Sequence, residues 1–514
     1  MKNLLLSLLI FNLAVFSVFG QENVLYYEIQ QAKKANVYFE NAVLNEINAD
    51  LVALESFVKP DEVFFFGNIS HDLRNNNIKA INLLMPLNNK NMILELIEVP
   101  EHFYDYEVTT SSGQSFTANR NIKHYRGIVR NETNSLVAIT FYEDEIMGLI
   151  CTDEGNFNIV KDNQSGKHLF YNENNIKEKR YPICDTKNGI FVPYESEVLD
   201  RQRYSCLHEH EENTIVQTRL ITKKVRFYVE TQYDIHQNKG SLSSVEAFIS
   251  GLFNQVAVLY QNEDIVTGIS TMYVWTSNDP YTGTNTSTLL TQFQNTRTSI
   301  NGDLGILLTF RSSIGGGIAA SFNGFCNAST SKKLSVAMIH STYSIVPTYS
   351  WSVMVVTHEL GHLFGSRHTH ACVWNGNNTA IDGCAGYTEA TDPNSNSYGN
   401  CSLPSYPSGG GTMMSYCHLS GRPGIKFNLG FGSQPGNVIR NSVMNASCLQ
   451  SLPCTTTNYK NETVNINTVI VTDCNINVQN VNVQNNAKLI LDATNITTIE
   501  GNFEVTLGSE LEIK

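Results

Sequence analysis

Charge is scarce in this chain: Asp, Glu, Lys and Arg make up only 16% of its 514 residues. With 41% hydrophobic residues, that balance excludes a disordered polyampholyte and requires a folded core. Positive charge is the scarcer sign. Thirty-five Lys and Arg against 48 Asp and Glu leave a net charge of −13, and no Lys/Arg-rich run offsets it. Nucleic acid and anionic membrane surfaces are therefore poor main partners. Beyond the N-terminus no apolar run approaches the ~20 residues of a bilayer span, so no membrane span is expected. The length suits three or so domains.

What is there begins with MKNLLLSLLIFNLAVFSVFGQENV. One lysine, an apolar stretch from Leu4 to about Phe19, and small or permissive residues at Val18 and Gly20 read as a secretory signal peptide over 1–20. A membrane anchor is the alternative, and the short stretch argues against it. Export puts the chain in an oxidising compartment, where its 11 cysteines imply disulfides. Cys326, Cys372, Cys384, Cys401, Cys417 and Cys448 cluster in one region, and Cys454 and Cys474 suit a further bridge. Cys151, Cys184 and Cys206 are an odd remainder, leaving at least one free thiol. The pairing stays open.

The densest chemistry is HELGHLFGSRH, residues 358–368. His358 and His362 are four apart, so a helix presents both imidazoles on one face to one metal. Glu359 is placed to reach a metal-activated water rather than the metal. Gly365 allows the backbone to leave the helix with positive φ and return His368 as a third ligand. Three histidines leave a tetrahedral zinc one open position, which is a catalytic arrangement. The apolar run SWSVMVVT (350–357) suits the buried first half of this helix. Downstream lies GTMMSYC, residues 411–417.

An extended zinc motif followed by a methionine turn resembles the metzincin zinc proteases. The resemblance makes Met414 the apolar floor beneath the imidazoles. It places Tyr416 where astacins and serralysins use a phenol to hydrogen-bond the oxyanion; a packed aromatic is the alternative. GGIAASFNGFC (316–326) resembles the reprolysin edge strand. Gly317, Ile318 and Ala319 would then grip an antiparallel substrate peptide by its main chain. The segment HYRGIVRNETNSLVAITFYEDEIMGLI (124–150) is similar to reprolysin pro-domains, with an unrelated β-rich domain as the alternative. Two departures stand out. Thr369 replaces the aspartate that follows the third ligand in reprolysins, and they lack Tyr416. Venom-enzyme and adamalysin substrate preferences therefore do not transfer. His370 competes with His368 as third ligand, but the metzincin spacing favours His368.

The organisation expected is a signal peptide (1–20), a β-rich pro-domain (21–205), an α/β, or α+β, metzincin catalytic domain (215–450), and a small all-β module (454–514). The connector RQRYSCLHEHEEN (201–213) marks the first boundary; its His208–Glu209–His210 run reads as solvated. Within the catalytic domain, strands are expected at 225–231, 269–275, 302–310 and 335–343, with helices at 243–263 and 287–300. The 243–263 helix is read as amphipathic. Residues 481–514 carry paired apolar positions separated by Asn, Asp and Gly turns, which suggests a few β-solenoid coils. They look like short repeats at the ends of secreted bacterial proteins.

These residues predict a secreted zinc endopeptidase acting on protein or peptide substrates and made as a zymogen. Resemblance to reprolysins implies a thiolate on the open zinc position in the precursor, with Cys184 and Cys206 as candidates. A disulfide joining those two is the alternative. Rival readings are a catalytically silent binding protein of the same fold, which intact Glu359 opposes, and a narrow-specificity protease of pappalysin or astacin type. Calcium, substrate and oligomeric state are not written in these residues.

Overall fold

The computed structural model describes residues 23–34, 36–47, 63–66, 78–87, 90–103, 105–161, 166–175, 183–186, 215–219, 223–340, 349–389, 401–419, 421–452, 456–472, 474–493 and 495–514. The signal-peptide reading, Cys206, the 201–213 connector and Cys454 lie outside them.

Valine, isoleucine, phenylalanine and leucine alternate through the N-terminal third, and this region forms one nine-stranded sheet. Its order runs 40–43, 80–87, 90–98, 123–129, 136–142, 145–152, 155–161, 168–172, 63–66. A bridge between Glu46 and Phe66 links its two ends, curling it into a nearly closed barrel. Period two sends Val137, Ile139 and Phe141 into the barrel interior. Leu136 and Ala138 point outward, and they are buried too. Both faces of the strand Leu136–Tyr142 are covered.

The cover is the helix Leu242–Gln261. Ser241 caps it by accepting from the Ser244 N–H. Sixteen consecutive residues, Val245 to Tyr260, are buried, so the amphipathic reading is corrected. The helix is apolar enough and long enough to span a bilayer, yet it lies within the protein. A helix apolar all round must be buried on all sides: one face meets the barrel and another the central sheet.

The central sheet runs 183–184, 316–319, 334–338, 304–309, 223–231, 266–274, 107–110, 115–117. Its strands from Lys223 to Met338 are parallel apart from Gly316–Ala319, which lies antiparallel at the edge. Catalytic-region strands match their expected positions, except that 335–343 is strand only to Met338. The expected 287–300 helix is Thr286–Thr296 and ends where Arg297 leaves helical φ and ψ. Two pieces of the N-terminal region extend this sheet: the hairpin 107–117 at one end and Ile183–Cys184 at the other. The sheet thus crosses the boundary expected between pro-domain and catalytic domain.

At the C-terminus two further ladders are parallel throughout. Thr468 faces Leu489 and Lys488 faces Glu510, so successive strands stack about one coil apart around Val478, Val481, Leu489 and Leu491. Ile215–Arg219, expected to open the catalytic domain, instead pairs with Thr468–Thr472 in this region. Disulfides join Cys326 to Cys448, Cys372 to Cys401, and Cys384 to Cys417. Cys474 is also disulfide-bonded, while Cys151 and Cys184 are free.

Candidate metal centre

The helix Tyr349–Leu363 carries His358, Glu359 and His362, all buried, against the edge strands and the helix Leu242–Gln261. It stops at Gly365, whose φ of +111° is open to residues without a Cβ. The Gly365 N–H donates to His362 O and the Ser366 N–H to Gly361 O, closing the helix end. The chain reverses there and brings His368 back beneath the helix.

The three imidazoles converge. Nε2 of His368 lies 3.1 Å from Nε2 of His362 and 3.2 Å from Nε2 of His358. Each Nδ1 has its own acceptor: Met413 O at 2.7 Å for His358, Ser366 O at 2.8 Å for His362, and the Glu389 carboxylate at 3.0 and 3.2 Å for His368. With the proton held on Nδ1, every Nε2 presents a lone pair. Three lone pairs that face one another repel unless a cation lies between them. A tetrahedral zinc with nitrogen ligands at roughly 2.0–2.1 Å sets those nitrogens roughly 3.3 Å apart, so the donor set fits zinc. Burial pushes all three imidazoles below their ordinary pKa, which keeps them neutral as ligands must be.

Cys184 completes a group of four potential ligands with these histidines. Its Sγ is 3.5 Å from His362 Nε2. Burial, then the neighbouring Glu359, pushes its thiol pKa up. Ile183 and Cys184 pair in parallel with Gly316 and Gly317, and the Asp185 N–H donates to Gly317 O. Thr186 then makes a double contact: its hydroxyl donates to Glu359 Oε2 at 3.0 Å and accepts from the Ala319 N–H at 2.7 Å. Glu359 is fully buried, and burial lifts its carboxyl to about 8 against the hydrogen bonds from Cys184 and Thr186. Gly317 lets the edge strand pass this carboxyl, because a Cβ there would lie 2.5 Å from Glu359 Oε1.

Met414 is buried under the helix, where a Cβ on Gly361 would come within 2.8 Å of its Sδ. Thr369 donates its N–H to Met414 O at 3.1 Å and its hydroxyl to the same oxygen at 3.3 Å. Thr369 thus ties the loop that carries His368 to the turn that holds Met414. The Tyr416 ring stands 4.9 Å from that of His368, and its hydroxyl donates to Cys184 O at 2.9 Å. The Cys384–Cys417 bridge pins the residue after it.

Sequence reasoning left the partners of the imidazoles unnamed, and Glu389 and Thr186 went unnoticed. Glu389 lies 21 residues past His368 in a loop held by the Cys372–Cys401 bridge and by backbone bonds to His370 and Cys372. No local motif announces it. Burial alone would raise its carboxyl, but His368 and His370 beside it hold it below the usual carboxylate range. His370 has its Nε2 3.2 Å from Glu389 Oε1 and lies outside the group formed by Cys184, His358, His362 and His368.

Residues 221–425 match the model of metallo-peptidase family M12, of the reprolysin type. No curated protein matches the chain. Among solved structures, the crystal structure of metalloproteinase-II from Bacteroides fragilis aligns over 59% of this chain and 87% of its own, at 12% identity and a TM-score of 0.34.

Proposed function

We propose that the chain, whose residues 221–425 match the model of metallo-peptidase family M12 of the reprolysin type, is an exported zinc endopeptidase held latent by its own Cys184. The observation that carries this reading is the convergence of His358, His362 and His368 through Nε2, with Glu359 beside them.

His358, His362 and His368 would hold a zinc ion, which when bound would supply Lewis acidity to the scissile carbonyl and to the attacking water. Met413 O, Ser366 O and Glu389 orient the three imidazoles through their Nδ1 protons. Glu359, whose Oε1 has no hydrogen-bond partner among the described residues, takes the attacking water's proton and returns it to the leaving amine. The strand Gly316–Ala319 binds the substrate main chain and leaves selectivity to side-chain pockets. Tyr416 donates to the carbonyl oxygen as negative charge grows there; in the latent chain the same hydroxyl holds Cys184 O.

Latency follows from what fills the cleft. Cys184 takes the position a substrate carbonyl needs, and Thr186 engages the general base. The segment runs parallel to the edge strand, the reverse of the antiparallel substrate direction, so its peptide bonds do not present to Glu359 as a substrate's would. Export is supported by the signal-like N-terminus and by the three disulfides around the site. The test is a peptide-library cleavage assay on the processed chain with and without a chelator. Chelator-sensitive cleavage, restored by zinc, is the expected result. Cleavage that survives metal removal excludes the reading.

A further inference from the structure

The helix Leu242–Gln261 carries features that a free peptidase domain does not use. Asn254 sits on it at 4% exposure, and its side-chain amide donates to Tyr125 O, Ile139 O and Thr140 Oγ1 of the N-terminal barrel. Its Oδ1 accepts from Arg126 Nε at 2.8 Å. Two helical turns further on, Gln261 accepts from the same guanidinium at 3.0 Å. Two turns earlier, Glu246 accepts from the Tyr106 hydroxyl at 3.1 Å and the Asn119 N–H at 2.6 Å. Between them Gly251 meets Met147 so closely that a Cβ would lie 2.6 Å from its Sδ.

Elsewhere the barrel reaches the site itself. Asn158 Oδ1 accepts from the Ser350 N–H in the first turn of the ligand helix. Asn156 clamps the segment after the methionine turn, donating to Ile425 O and accepting from the Phe427 N–H. Leu136, Ala138, Met147 and Leu149 of the barrel belong to one continuous core with Phe248, Leu252, Val353 and Met414. Barrel removal would expose the apolar face of the helix and strand the buried polar groups of Asn254 and Glu246 without their partners. By contrast, the described Cys184 segment is four residues long, and it meets the edge strand through two ladder positions and one bond each at Asp185 and Thr186.

We infer that the barrel, residues 23–175, is a lasting subunit of the peptidase rather than a disposable pro-domain. When the connector is cut, the Ile183–Thr186 segment leaves the cleft and the barrel stays bound to the helix Leu242–Gln261. Inter-domain interfaces are mobile by default unless large and hydrophobic, and a shared core meets that exception. The inference takes from the preceding reading only that the chain is cut.

A site-specific protease sequence inserted in the stretch 187–214 of the full chain tests it. After cutting, the two fragments are expected to co-elute as one 1:1 particle at sub-micromolar loading, separating only in denaturant. Gly251→Leu and Asn254→Leu, which alter only the barrel-facing side of the helix, are expected to make the cut fragments separate at lower urea than the wild type. Fragments that separate on cutting overturn the inference, as does separation of both variants at the same urea as wild type. Peptidase activity measured on the same samples reads latency independently, so its failure is distinguishable from failure of retention.

Discussion

The Sγ of Cys184 stands 3.5 Å from Nε2 of His362, although 178 residues separate them in the chain. In the proposed reading this sulfur fills the fourth position of the metal site. Cys184→Ala in the full-length chain is therefore expected to raise peptidase activity severalfold before any processing. A substituted precursor as inactive as the wild type would mean that the barrel blocks the cleft by bulk.

Glu389 is expected to hold His368 in its ligating orientation. Losing such a partner costs about 10–100-fold in metal affinity. Glu389→Gln should weaken zinc retention by that factor in a competition with a chromophoric chelator, with folding unchanged by circular dichroism. Unaltered zinc affinity would make the carboxylate a partner of His370 only.

His124 gives the fold a dependence on pH. Burial first, then Arg126 and Lys123 nearby, lower its pKa from 6.5 to about 3. Its depressed folded value means that below 6.5 the unfolded chain binds the extra proton. The stability it contributes is thus fully present above 6.5 and is lost as pH falls toward 3. From about pH 7.5 to about pH 5 this one group removes at most about 2 kcal/mol. In urea unfolding, His124→Asn is expected to lose less stability across that interval than the wild type by up to that amount. Equal losses would show that His124 titrates normally.

The ligand helix was legible because its chemistry is periodic: His358, His362 and Gly365 sit where a helix and its exit require them, and Gly365 has the positive φ that exit needs. The sheet strands were legible from their apolar runs. What escaped was non-local. Nothing near Glu389 or Thr186 in sequence marks them as partners of His368 and Glu359, because loop closure by Cys372–Cys401 and strand addition beside Gly317 bring them in. The helix Leu242–Gln261 was misread as amphipathic because its few polar residues imitate a wet face. Asn254 instead meets polar groups of the barrel, and Glu246 meets Tyr106 and Asn119 beside the 107–117 hairpin.

The measurement that bears most directly on the zinc-peptidase account is zinc content and turnover of Glu359→Gln beside the wild type, both cut in the connector. The substitution keeps the shape of the side chain and removes the base. The expected result is one zinc per chain in both proteins, with turnover in the variant lower by about 10²–10⁴-fold. Near-normal turnover at full zinc occupancy would contradict the role of Glu359, and absence of zinc from the wild-type protein would contradict the metal centre itself.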